Sequence, residues 1–109
     1  GRWTGVFLFI INLKKFDIVL VDFPFSNLAT TKEGENAILC QITTKKRNIQ
    51  KYEIYPPKES CKGNIRFDSY VYVDMIFTLH SSLIYEKIGE VNNLKIDGLI
   101  NQKLKIILQ

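Results

Sequence analysis

Apolar and polar positions alternate through most of the first 85 residues, in short runs rich in β-branched and aromatic side chains and separated by polar clusters. Runs of that kind predict strands. They fall at Ile18–Phe23, Ala37–Thr43, Tyr52–Tyr55, Tyr70–Phe77 and Leu83–Ile88. In "SYVYVDMIF" the alternation sets Tyr70, Tyr72 and Asp74 on one side and Val71, Val73 and Met75 on the other, the period of a half-buried strand. The last segment changes period. Ile96, Leu99, Ile100, Lys103, Leu104, Ile107 and Leu108 recur at steps of three and four, which predicts an amphipathic helix capped by Asn92 or Asn93. Gly98 weakens that helix by about 1 kcal/mol relative to Ala.

Short strands closed by one helix favour a curled sheet or small barrel, which leaves few open edges. Pro24 fits that architecture, because a residue without an amide hydrogen marks the point where a strand leaves the sheet. The stretch "SNLATTKEGEN" then reads as a surface loop between two buried strands, of a length that is often functional. Residues 13–109 are expected to form one domain. Residues 1–12, with an apolar run Val6–Ile11 and no Met before Met75, read as a leader or as an extra strand. That run is far shorter than the roughly 20 residues that span a bilayer, and no small-residue cleavage site follows it, so neither a membrane anchor nor a signal peptide is expected.

Charge changes the picture in one place. The chain has a formal net charge of +4, and residues 45–66 hold Lys45, Lys46, Arg47, Lys51, Lys58, Lys62 and Arg66 against only Glu53 and Glu59. A basic segment on a near-neutral body suits a phosphate-bearing partner, and it equally suits a solvated loop kept for solubility. Cys40 and Cys61 make no disulfide framework, and with His80 as the sole histidine no metal site or cofactor is expected. The cysteine usage suits a reducing cytosol, hence a cytoplasmic location.

Signatures for dinucleotide, P-loop, zincin or nucleophile-elbow chemistry are absent. His80, in "TLHSS", reads as a strand-end residue rather than a catalytic one. What remains is a set suited to phosphate chemistry. The ribose 2′-OH of RNA can attack its own phosphorus without a metal when a base takes the proton and donors stabilise the phosphorane. Thr43 and Thr44 at a strand end, Asp74 on the alternating strand, and Lys32 and Glu35 in the long loop are the candidates. Each also has an ordinary reading, since threonines commonly end strands and loop acids are commonly just solvated.

The order of motifs "KKFDIVLVDFPFSNL", "AILCQITT", "SYVYVDMIFTL" and "YEKIGEVNNL" resembles the PemK/MazF family of toxins from bacterial toxin–antitoxin systems. The resemblance implies a mainly β, SH3-like small barrel with a C-terminal helix, assembled as a homodimer. It implies metal-independent, sequence-specific cleavage of single-stranded RNA to a 2′,3′-cyclic phosphate, and an antitoxin that covers the RNA groove with an extended acidic segment. On that reading the catalytic set is Thr43, Lys32, Glu35 and Asp74, and Phe25, Thr44, Lys45, Lys46, Arg47, Arg66 and Tyr72 contact RNA, with Tyr72 stacking on a base. One departure stands out. Where the family carries Lys-Lys-Arg-Pro-Ala, this chain reads "KEGENA", with Glu35 and Asn36 in place of the Arg and Pro. A carboxylate repels phosphate, so the resemblance supports two readings: a nuclease in which Lys32, Arg47 or Arg66 replaces the arginine, and a degenerate relative that binds RNA or antitoxin without cutting. A gyrase poison of the CcdB type is a third, weakened by a C-terminus reading "KIILQ" rather than Trp-Gly-Ile.

Overall fold

Side-chain alternation assembles two apolar clusters, one on each face of a single antiparallel sheet. A computed structural model describes residues 3–10, 15–23, 36–65 and 68–108. The strands are β1 (Trp3–Phe9), β2 (Asp17–Phe23), β3 (Asn36–Thr43), β4 (Glu53–Ile54), β5 (Cys61–Gly63), β6 (Tyr70–His80) and β7 (Ile84–Val91), followed by helix α1 (Leu94–Ile107). They are ordered β4-β6-β3-β1-β2-β7-β5. Leu8, Ile18, Cys40, Ile42, Val71 and Val73 face α1, whereas Phe7, Phe9, Val19, Val21, Leu39 and Leu79 form the second cluster on the other face.

The first cluster shows how strongly the sheet curls. Ile54 from β4 and Cys61 from β5 lie at opposite ends of the strand order, yet both pack into the cluster that holds Ile96, Ile100 and Leu104 of the helix. Register shifts of β7 against β2, opposite Ile18/Val19 and Leu20/Val21, and of β6 against β3, opposite Cys40/Gln41, supply local bends. The result is a small, mainly β, barrel-like domain closed by one helix. Burial of Ile96, Ile100 and Leu104 contributes about 1.5–3 kcal/mol each relative to exposure, which anchors α1 despite Gly98.

Residues 3–9 occupy the middle of the sheet rather than its margin, with β1 paired to β2 on one side and β3 on the other. Among the other strands, β6 runs past its expected end to His80, and β4 is only two residues long. Strand β5 was not expected. Its "CKG" has no alternation of its own and owes its conformation to pairing with β7, where Gly63 (φ 106) and Gly89 approach so closely that a Cβ on Gly63 would lie 2.2 Å from the Ile88 carbonyl oxygen. Asn93, not Asn92, caps the helix, its Oδ1 accepting from the amides of Lys95 (2.9 Å) and Ile96 (3.3 Å). Two positions on the expected apolar stripe, Leu99 and Leu108, are exposed instead, because the sheet meets a narrower strip of the helix. Pro24 and the loop through Glu35 lie outside the described residues, and Asn36 is the first residue of β3.

Candidate functional site

The end of the sheet formed by β3, β6 and β4 carries the chain's concentration of hydroxyl, cationic and aromatic groups. Cross-strand partners share a face, and here Thr43 pairs with Tyr70, Gln41 with Tyr72, and Tyr72 with Glu53. Ile42, Val71 and Ile54 alternate with them into the core. One face is therefore apolar and buried, and the other is built from Thr43, Glu53, Tyr70 and Tyr72.

A bulge breaks the simple alternation of β6. Cys40 pairs with Ile76 while the next residue, Gln41, pairs with Tyr72, so Val73, Asp74 and Met75 are left between two paired positions. Val73 still packs into the core, but Met75 does not complete the expected apolar row. Bulges re-aim side chains. Within the bulge Asp74 accepts two hydrogen bonds from Arg47, at 2.8 and 2.9 Å, in a bidentate pair.

Arg47 belongs to the segment between β3 and β4, which folds back over this face. Asn48 takes φ 60, a left-handed conformation that Asn tolerates, and the Lys103 ammonium of α1 donates to the Gln50 carbonyl at 2.7 Å. Within the segment Lys46 Nζ lies 2.7 Å from Glu53 Oε1 and 5.2 Å from the centre of the Tyr70 ring. The Arg47 guanidinium lies 4.8 Å from the centre of the Tyr72 ring. The Tyr72 hydroxyl accepts from the Arg47 amide and donates to Glu53 Oε2 at 2.7 Å. Contacts therefore run without a gap from Tyr70 through Lys46, Glu53, Tyr72 and Arg47 to Asp74.

Protonation follows these contacts. The hydrogen bond from Lys46, then that from Tyr72, holds the Glu53 carboxyl below its ordinary range, and Glu53 in turn raises the Lys46 ammonium. Burial, then the neighbouring carboxylate, pushes the Tyr72 hydroxyl up. The hydrogen bonds that Arg47 donates to Asp74 raise it further, so its charge is fixed at any working pH.

Several sequence-based site residues meet here. Thr43 ends β3, and its Oγ1 accepts from the Lys45 amide at 3.2 Å, which turns the chain toward the cations. Thr44, Lys45 and Lys46 are exposed beside it. Tyr72 requires a correction: it is 0% exposed, its ring lies beneath Arg47, and it has no free face for a base. Lys46 and Arg47, expected as RNA contacts, each hold a carboxylate. Phe25, Lys32, Glu35 and Arg66 lie outside the described residues. Glu53, Tyr55 and Tyr70 were missed. Glu53, one of two acids in a basic segment, and Tyr70, in phase with Tyr72, were the signals available. His80 accepts from the Ser82 amide at 3.1 Å and caps a short turn after β6. The Cys40 thiol is pushed up to about 12 by burial, which makes it a core side chain rather than a nucleophile.

A small, mainly β, barrel-like sheet closed by one helix, with hydroxyl, cationic and aromatic groups gathered at one end, defines the general class. Sequence comparison narrows the class: residues 25–108 match the family described as PemK-like, MazF-like toxin of type II toxin-antitoxin system, and the chain belongs to that family. The match begins after β1 and β2, so the central hairpin of the sheet precedes it. Neither the curated proteins nor the solved structures gave a match. Among the described residues no helix is long and apolar enough to cross a membrane.

Proposed function

We propose that this toxin-family chain is a metal-independent endoribonuclease that cuts single-stranded RNA, with Thr43, Arg47 and Asp74 at the reacting phosphate. The observation that carries this reading is the Arg47–Asp74 pair on the same sheet end as Thr43. It supplies a guanidinium in a chain whose loop lacks the usual arginine. In the reaction Arg47 exchanges the Asp74 carboxylate for the phosphate oxygens, which present a similar bidentate geometry. The released Asp74 takes the proton of the 2′-OH as its oxygen attacks phosphorus, and the bond to the 5′ oxygen breaks. That oxygen leaves with a proton from solvent, giving a 2′,3′-cyclic phosphate and a 5′-hydroxyl. The Thr43 hydroxyl donates to a nonbridging oxygen, and Lys45 and Lys46 hold the flanking backbone.

The wider assignment follows the family: a cytoplasmic homodimer whose antitoxin covers the basic face with an acidic segment. Lys32 and Glu35 stay with the proposed catalytic set, and Phe25 and Arg66 with the proposed RNA contacts. A second reading, RNA or antitoxin binding without cleavage, is favoured by one specific feature. Lys46 and Arg47 are both already paired with carboxylates, and exchanging those partners takes free energy from RNA binding.

Expression without antitoxin separates the two. The nuclease reading expects growth arrest that Thr43→Ala and Arg47→Ala relieve, with loss of the guanidinium slowing cleavage by about a hundredfold to a thousandfold. Harmless expression of a folded wild-type chain that still binds RNA supports the second reading.

A further inference from the structure

Tyr55 is left half exposed just past the end of β4. Strand β4 sends Ile54 into the core and Glu53 toward the opposite face, and Tyr55 follows in phase with Glu53 just before Pro56 and Pro57. Glu53 pairs with Tyr72 and Ile54 with Val71, so Tyr55 comes alongside Tyr70. The two ring centres lie 5.1 Å apart with planes at 44°, and Tyr55 is 50% exposed. Lys46, fixed by Glu53, stands over the Tyr70 ring, and Tyr70 pairs with Thr43.

We infer that Tyr55 and Tyr70 form a stacking ledge for an unpaired base of single-stranded RNA, next to the phosphate held at Thr43. This rests on the RNA-cleaving reading and deepens it by naming where the adjacent base goes. Three independent features support it. An aromatic face is open to solvent beside a second ring, which is how sequence-tolerant single-strand sites hold bases. A cation stands beside it, with Lys46 Nζ 5.2 Å from the centre of the Tyr70 ring and the exposed Lys45 next in the chain. The ring fully sealed from solvent is Tyr72, so the stacking surface on this face falls to its neighbours. Tyr70 alone is half-buried under Lys46, which makes Tyr55 the residue that meets the base directly.

The competing account is an ordinary cross-strand pair that merely steadies the short β4 edge. The test is titration of a fluorescent single-stranded RNA of mixed sequence, with every 2′-OH methylated to block attack. Wild type, Tyr55→Phe, Tyr55→Leu and Lys46→Gln are compared over a range of salt. The ledge predicts that Tyr55→Leu weakens binding about five- to a hundredfold with no change in salt slope, because an uncharged ring is lost. Tyr55→Phe keeps wild-type affinity, and Lys46→Gln lowers the salt slope by about one.

Wild-type affinity in folded Tyr55→Leu overturns the ledge and leaves the RNA reading standing. Absence of RNA binding by the wild type overturns both. Loss of binding to an acidic peptide in Tyr55→Leu, with RNA binding intact, also overturns it and assigns the ring to a protein partner. Should Tyr55→Leu fail to fold, photocrosslinking of 4-thiouridine RNA to the wild type decides the matter. Adducts on Tyr55 or Tyr70 support the ledge, and adducts confined to other peptides contradict it.

Discussion

Arg47 grips both carboxylate oxygens of Asp74, at 2.8 and 2.9 Å, across a bulge that interrupts β6. The pair places a fixed cation and an acid on one end of the sheet while each satisfies the other. On the proposed function a phosphate that enters replaces Asp74, so the same contact that positions Arg47 also competes with the proposed ligand.

This competition predicts opposite effects on binding and on chemistry. Asp74→Asn removes the competing charge but keeps a hydrogen-bond acceptor for Arg47. RNA affinity should rise severalfold at fixed salt, while single-turnover cleavage falls by at least a hundredfold for want of the base. Fluorescence titration and gel-resolved cleavage of the same oligonucleotide read the two effects. Unchanged cleavage in the variant would remove Asp74 from the reaction.

The Glu53 cluster makes stability depend on pH. Because the folded state holds Glu53 below its ordinary value of 4.5, its contribution is complete above that value. It is lost as pH falls through the lowered native value, when Glu53 must protonate and release Lys46 and Tyr72. Thermal unfolding followed from neutral pH to below 4.5 should show the wild type losing Tm faster than Glu53→Gln in the acid part of the range. Parallel curves for the two proteins would mean that the cluster adds nothing.

Gly98 offers a gain at no steric cost. A Cβ added there meets nothing within 4 Å, and the position is exposed in mid-helix. Gly98→Ala should stabilise the fold by about 1 kcal/mol. That corresponds to a rise in Tm of about 4–8 °C for a domain of this size. A fall in Tm would show that the face around Gly98 is in contact with something, such as a second copy of the chain.

Cysteine chemistry distinguishes the two thiols. Cys40 is sealed in the core with its thiol pushed up to about 12, and Cys61 is half-buried with its thiol raised by the same cause. A disulfide reagent at pH 8 should modify Cys61 slowly, and Cys40 only at the rate of global unfolding. Rapid modification of both would contradict the buried position of β3.

Local pattern was enough for β3, for most of β2 and β7, and for the helix with its Asn cap, because each carries its own periodicity. Interactions distant in sequence decided the rest. The three residues of β5 take their conformation from β7 and from the Gly63–Gly89 approach. The bulge at Val73–Met75 exists only in register against β3, so no reading of β6 alone could show that one arginine spans Tyr72 and Asp74. Tyr72 illustrates the consequence. Alternation put it correctly on the face away from Val71 and Val73, but that face is roofed by residues 44–52, which the chain brings back through Arg47 and Lys46. The position of β1 between β2 and β3 is likewise a matter of topology, since its apolar run would suit an edge strand equally well.

The central claim is that Thr43 and Arg47 serve a reacting phosphodiester. Its most direct test is incubation of the purified protein with a long RNA of mixed sequence, without divalent metal, followed by mapping of new 5′ and 3′ ends. Discrete cuts that leave cyclic-phosphate and 5′-hydroxyl ends, and that vanish with Thr43→Ala and Arg47→Ala, are the predicted result. Intact RNA, or cuts that persist undiminished in folded Thr43→Ala and Arg47→Ala proteins, would contradict it.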